Sequence, residues 1–181
     1  MNIFCGRPND LSGREDREKR VYDLLDSLNI EYERSDHAPA ITMEDCEAVD
    51  EVMGVRMCKN LFLCNRQKTD FYLLLIPADK PFKTKELSGQ LGVSRLSFAS
   101  SEDMERLLDI KPGAVSVLGL MNDKGGEVRL LVDEDLLSAE YFGAHPCVNT
   151  SSLKFKTSDL FEIILPVLKH DKTIVKLLGE I

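Results

Sequence analysis

The chain has 181 residues, 43% of them hydrophobic, which suits one domain with a substantial core and argues against two independent ones. Its 23 Lys and Arg against 31 Asp and Glu leave a net charge of −8, which speaks against DNA and against broad nucleic-acid binding, because phosphate contacts need clustered cations. No apolar run reaches about 18 residues and no charged-then-apolar leader is visible, so neither a membrane span nor a secretory signal is expected and a cytoplasmic protein is the default.

Residues 1–11 lack periodicity and read as a loose arm, with the domain proper expected over 12–170 and a tail over 171–181. From Ser12, an N-cap candidate with Glu15 three residues on, the apolar positions Val21, Leu24, Leu25 and Leu28 mark an amphipathic helix that Asn29 ends. IEYER is a short strand. DHAPAIT is a loop, since Pro39 excludes a continued helix. Thr42, followed by Glu44 and Asp45, opens a second helix that Gly54 stops. KNLFLCN and DFYLLLI are apolar, strand-length runs separated by the polar RQKT, the pattern of a β-hairpin, and too apolar for anywhere but the centre of a sheet. KTKELSGQLG is a short helix, LSFA a strand, and SSEDMERLLD a helix capped by Ser100 or Ser101. PGAVSVLGLMND is expected to lead into a strand, DKGG to turn into the strand EVRLLVD, and DEDLLSAEYFG to supply a short helix or strand. NTSSLKFK alternates as a strand, and TSDLFEIILPVLK is a helix beginning at Thr157 or Ser158. Helices interspersed with hairpins predict an α+β fold, a single domain with a central mixed β-sheet flanked by helices.

Nothing matches GxGxxG or GxxxxGK[ST], so no cofactor is implied. Cys5, Cys46, Cys58, Cys64 and Cys147 are odd in number and scattered without zinc spacing, which predicts free thiols and no metal site. One local asymmetry runs against the net charge. Between Arg56 and Arg95 eight basic residues stand against three acidic ones, so that segment carries +5 and the remainder −13. Such an excess is either a solvated face or the landing place of an anionic ligand.

Two stretches carry candidate chemistry. Lys59 begins an apolar strand, where it is either a solvated strand-end lysine or one compact cation held toward an anion, and Asn60 beside it either binds a ligand or closes a turn. GAHPCVNTSSL reads as a shaped loop, because glycine permits unusual backbone angles and Pro146 fixes one. His145 there is a proton carrier or a loop histidine with a structural hydrogen bond, while His37 reads as packing or a local bond and His170 as solvated. Cys147, two residues after His145, is poorly placed for base-assisted attack, and no serine stands in a GxSxG setting. With no protein nucleophile, the remaining chemistry is a tight loop aiming backbone N–H groups at a developing oxyanion while a lysine orients an anionic substrate for attack by water.

DHAPAIT, CKNLFL, FYLLLIPADKPFKTKELSGQLGVSRLSFAS, PGAVSVLGLMND and GAHPCVNTSSL, taken in order, resemble the superfamily of aminoacyl-tRNA deacylases that contains YbaK and the prolyl-tRNA synthetase editing domain. The likeness runs from about Arg17 to Leu168 and is greatest to the freestanding Ala-tRNA(Pro) deacylases. It implies hydrolysis of the ester joining alanine to the terminal adenosine of mischarged tRNA(Pro), with deacylation of a cysteinyl or seryl ester, or a non-catalytic tRNA-binding module linked to proline metabolism, as alternatives. The lysine matching Lys59 is the essential residue of that superfamily. Main-chain groups matching Gly143, Ala144 and His145 bind the reacting carbonyl, and the substrate's ribose hydroxyl assists water. Asn60, Pro146, Asn149 and the His145 ring follow as supporting residues. The acceptor end of tRNA(Pro) and prolyl-tRNA synthetase are the partners the likeness implies, and Lys80, Lys83 and Lys85 are expected to meet the acceptor stem.

Overall fold

The computed structural model describes residues 1–179. In chain order it contains β1 (Ile3–Cys5), α1 (Asp16–Ser27), β2 (Glu33–Asp36), α2 (Met43–Met53), β3 (Lys59–Cys64), β4 (Phe71–Ile76), α3 (Thr84–Leu91), β5 (Ser97–Phe98), α4 (Ser101–Leu108), β6 (Val128–Asp133), β7 (Tyr141–Ala144), β8 (Ser151–Lys156) and β9 (Lys172–Val175). A helical run over residues 157–167 lies between β8 and β9.

The strands form two sheets. The expected mixed sheet has the order β5-β3-β4-β6-β9, antiparallel at β3 and parallel from β4 onward. A second, antiparallel sheet of order β1-β2-β8-β7 packs against it and was not foreseen as a separate layer. The reason β4 reads as an unbroken apolar run is now plain: Phe71, Leu73 and Leu75 enter the main core between the sheets, while Tyr72, Leu74 and Ile76 enter a second core on the far side. A strand buried on both faces has no polar side to alternate with.

Helix boundaries follow local chemistry. Thr42 accepts from the Asp45 N–H while the Asp45 carboxylate accepts from the Thr42 N–H at 2.9 Å, a reciprocal cap, and Gly54 ends α2 at φ 61°. Ser100 caps α4 by accepting from the Asp103 N–H at 3.1 Å. Ser12 does not cap α1. That helix begins after Glu15, and the Ser12 N–H turns back to the Asp10 carboxylate. The 157–167 run starts from Lys156 rather than from a Thr or Ser cap, and its middle, Leu160–Ile164, is π-helical. Pro166 follows directly; its ring cannot donate to the Glu162 carbonyl and crowds it, which favours the wider turn.

Several expectations are corrected. The segment over Val117–Asn122 is a 3-10 turn and not a strand approach, because the Ser116 hydroxyl accepts from the Leu118 N–H at 3.2 Å and closes the chain on itself. The N-terminal arm is not loose: β1 pairs with β2, the Gly6 N–H donates to the Tyr32 carbonyl at 2.9 Å, and Arg34 both bonds the Gly6 carbonyl and covers the Phe4 ring. The tail likewise contributes β9, and Val175 and Leu177 are buried; Glu180 and Ile181 lie outside the described residues. His170 is buried and not solvated, its Nε2 2.9 Å from Asp123, whose carboxylate also accepts from the Glu127 and Val128 N–H groups at the start of β6. No described helix is long and apolar enough to cross a membrane.

Candidate active site

The quoted loop joins β7 to β8, but its shape arises differently from the expectation. Gly143 is an ordinary strand residue of β7, and the left-handed residue of the loop is Cys147, at φ 61°. Glycine is needed at 143 for room: a Cβ there would overlap the Met57 Sδ and approach the Val55 Cγ1 to 3.2 Å. Met57 and Val55 lie in the stretch between α2 and β3, so the loss of one side chain lets that stretch close over β7.

β7 is the last strand of its sheet, with β8 on one side and, among the described residues, no strand on the other. The Thr157 N–H donates to the Glu140 carbonyl at 2.9 Å, which fixes the phase of the ladder. Opposed antiparallel residues alternate between exchanging two hydrogen bonds and none, so Phe142 and Ala144 bond to Phe155 and Leu153. The N–H groups of Gly143 and His145 therefore face away from β8, toward the open edge. The expected carbonyl-binding set contracts to those two, since the Ala144 N–H belongs to the ladder and its methyl is buried in the main core.

Behind this edge His145 Nδ1 lies 2.9 Å from the Ser151 carbonyl and 3.4 Å from the Ser152 hydroxyl. The same hydroxyl is 2.8 Å from His37 Nε2, whose Nδ1 is 2.8 Å from the Ala38 carbonyl. The two imidazoles meet edge to face at 6.4 Å. The local bond expected of His37 is present at the Ala38 carbonyl, but His37 also joins the site, and what carries it there is the pairing of β2 with β8, which sets Ser35 opposite Ser152. Only the HAP loop signal hinted at it. The loop ends in Asn149, whose carbonyl accepts from the Ala40 N–H at 3.4 Å and whose amide lies beside Gly113, so Asn149 braces loops rather than facing the open edge. Pro146 is buried, and Asn149 is half-buried.

Burial pushes the His145 imidazole below its ordinary value of 6.5, outweighing the Ser151 carbonyl that favours the protonated ring. The unfolded chain therefore takes up a proton first, so the group's contribution is present above about pH 6.5 and is lost as pH falls through the lowered folded value. Thermal unfolding is expected to show a lower midpoint at pH 5 than at pH 7.5, with the difference reduced in His145→Gln; an unchanged difference would assign the acid sensitivity elsewhere.

Lys59 and Asn60 sit at the start of β3 in the other sheet. Successive strand residues point to opposite faces, and the cores on either side of β3 show which: Asn60 shares the main-core face with Phe62 and Cys64, while Lys59 shares the second face with Leu61 and Leu63. The Asn60 amide bonds the Cys58 carbonyl at 3.2 Å, a turn-closing contact. The Lys59 ammonium donates to the Lys80 carbonyl at 2.5 Å, which fixes its direction and leaves two N–H donors for a ligand. Met57, two residues before Lys59 and lying over Gly143, links the lysine to the β7 edge. Beside this junction a cleft of about 450 Å³ is lined by Arg56, Met57, Cys58, Lys80 and Tyr141 among others.

The basic segment is less free than its charge suggests. Lys80 bonds Asp133 at 2.9 Å and Asp135 at 2.7 Å, Arg56 pairs with Asp79, and Lys68 with Asp103. Lys80 is thereby withdrawn from the expected stem-binding set, because its ammonium already neutralises a fully buried carboxylate. Cys147 is withdrawn as a nucleophile on similar grounds: it is buried, and burial pushes its thiol up to about 12, so it stays protonated at neutral pH. Cys147→Ala is accordingly expected to retain turnover within about twofold, with a modest loss of stability from the vacated volume; a dead but folded variant would restore the thiol route.

A family described as the Aminoacyl-tRNA editing domain matches residues 37–163. The chain is 32% identical over 149 residues to the Prolyl-tRNA editing protein ProX of Acetoanaerobium sticklandii, covering 82% of this chain and 91% of that one. It is 28% identical over 152 residues to the Prolyl-tRNA synthetase associated domain-containing protein 1 of Danio rerio, covering 82% of each. Among solved structures, a candidate trans-editing enzyme for prolyl tRNA synthetase superposes with a TM-score of 0.67 at 16% identity, over 90% of this chain and 98% of that one, a likeness of fold.

Proposed function

Because the chain belongs to the aminoacyl-tRNA editing domain family, we propose that it is a trans-editing deacylase that hydrolyses the ester of alanine on mischarged tRNA(Pro). Three observations support the mechanism: the open edge of β7 with its main-chain donors, the Lys59 ammonium anchored on the Lys80 carbonyl, and a Cys147 thiol that burial keeps protonated. Water attacks the ester carbonyl carbon, giving up its proton to the substrate's neighbouring ribose hydroxyl, which passes its own proton to the departing ester oxygen. The oxygen that gains charge is met by the N–H groups of Gly143 and His145, each such donor being worth roughly 3 kcal/mol when removed. The ester C–O bond then breaks, the ribose oxygen leaves protonated, and alanine and free tRNA depart. Lys59 orients the terminal adenosine through the two donors that the Lys80 carbonyl does not use. The neutral imidazole of His145, bridged through Ser152 to His37, holds the loop in register.

The need for such an enzyme follows from selectivity. A synthetase pocket built for proline rejects a smaller side chain by only about 1 to 3 kcal/mol per missing methylene, whereas a second pocket too small for proline excludes it sterically. We place the activity in the cytoplasm, with prolyl-tRNA synthetase as the partner that supplies the mischarged substrate. The test is a panel of alanyl-, cysteinyl-, seryl- and prolyl-tRNA(Pro). Turnover is expected for the alanyl ester and not for the prolyl one; stability of every ester in the presence of the protein would refute the reading.

A further inference from the structure

The second core, on the Lys59 face of the mixed sheet, ends in a surface that the reaction above does not use. Phe98 lies on the two-residue edge strand β5, opposite Leu63, and the residue is 63% exposed. Phe82 supports it edge to face, with centroids 6.2 Å apart and planes at 70°, and packs in turn on the second core. An aromatic ring propped in this way offers a rigid free face. Beside Phe82 a cavity of about 640 Å³ is lined by Lys83, Lys85, Val93 and Arg95 among others. Lys83, Lys85 and Arg95 are exposed and form no ion pair among the described residues, unlike Lys80, Arg56 and Lys68 from the same basic segment. The one acidic side chain on α3, Glu86, turns away to accept from the Leu178 and Gly179 N–H groups. A chain of net charge −8 thus keeps three cations without ion pairs in a cavity beside this aromatic pair.

Lys59 and Leu63 share a strand face four residues apart, which is roughly 13 Å at strand rise. Phe98, paired with Leu63, stands at that distance from the Lys59 backbone and on the same side of the sheet. We infer that Phe98, propped by Phe82 beside the cavity that Lys83, Lys85 and Arg95 line, is a stacking platform for an unpaired nucleotide of the tRNA 3′ end, a few nucleotides upstream of the adenosine that Lys59 holds. Bases stack on aromatic faces irrespective of sequence while cations follow the phosphates, which is the general pattern for single-stranded nucleic acid. A protein partner would need acidic groups opposite the three cations and would leave the open ring face without a stacking function. The inference rests on the editing reading for the identity of the strand, but it can fail alone.

The chain contains no tryptophan, so Phe98→Trp installs one fluorophore on the platform. Titrating it with an uncharged single-stranded RNA ending in CCA is expected to quench the indole emission at low salt, with the apparent affinity falling as salt rises. Phe98→Ala is expected to weaken binding of the same labelled RNA, followed by anisotropy, by about five- to a hundredfold, the range for one lost base stack. Replacing Lys83, Lys85 and Arg95 with alanine together is expected to flatten the salt dependence. Absence of RNA binding, binding without quenching, or equal quenching by blunt duplex RNA would each overturn the platform. The RNA carries no ester, so these outcomes are independent of whether the protein deacylates anything.

Discussion

Replacing Lys59 with alanine is expected to lower kcat/KM for alanyl-tRNA(Pro) at least about a hundredfold while leaving the thermal midpoint nearly unchanged. The rate effect follows from loss of the cation that orients the substrate, and removal of a single well-placed donor commonly has this magnitude. The small stability effect follows from position: Lys59 is the first residue of β3, half-exposed, with one side-chain bond to the Lys80 carbonyl. Lys59→Arg is not expected to rescue, because a planar guanidinium cannot direct one donor to a carbonyl behind it and two ahead with the geometry of an ammonium. Steady-state deacylation of purified variants beside a melting curve separates the two contributions, and retained turnover in Lys59→Ala would remove this residue from the mechanism.

Gly143→Ala is expected to cost about 1 to 3 kcal/mol of stability, the usual range for a methyl forced into a packed site, and to reduce deacylation more than stability alone explains. The added Cβ would overlap the Met57 Sδ and press on Val55. Either the stretch carrying Met57 lifts from β7 or β7 shifts, and in both cases the junction between Lys59 and the two edge donors opens. Met57→Ala in the same chain removes the overlapping atom, so the double variant is expected to recover part of the stability lost in Gly143→Ala. Chemical denaturation of the two single variants and the double variant gives the coupling energy directly. Additive losses would show that the glycine is needed for something other than this close approach.

How much of this was legible in the sequence depended on how local the cause was. Thr42 with Asp45, Gly54, and Ser100 announced their helix ends because the bonds they make lie within a few residues. The β3–β4 hairpin was visible because its turn is short and both runs are apolar on both faces. β1 and β9 were not, since strands of three and four residues carry too little alternation to stand out from a coil. Contacts across long separations were out of reach altogether: His37 reaches Ser152 through sheet pairing, His170 finds Asp123, and Lys80 finds Asp133. Gly143 was recognised as special for the wrong physical reason. Its backbone is ordinary, the crowding comes from a residue 86 positions earlier, and the unusual dihedral belongs to Cys147.

An edge left bare for a substrate is equally bare to another β-strand, and unpaired strand edges are where chains join end on end into aggregates. β7 carries its own protection. It is four residues long, too short to template a stable ladder, and the Lys154 ammonium stands 4.6 Å over the ring of the exposed Tyr141 at its outer end. The same brevity therefore keeps the edge selective, admitting one carbonyl oxygen where a neighbouring chain would need a row of partners.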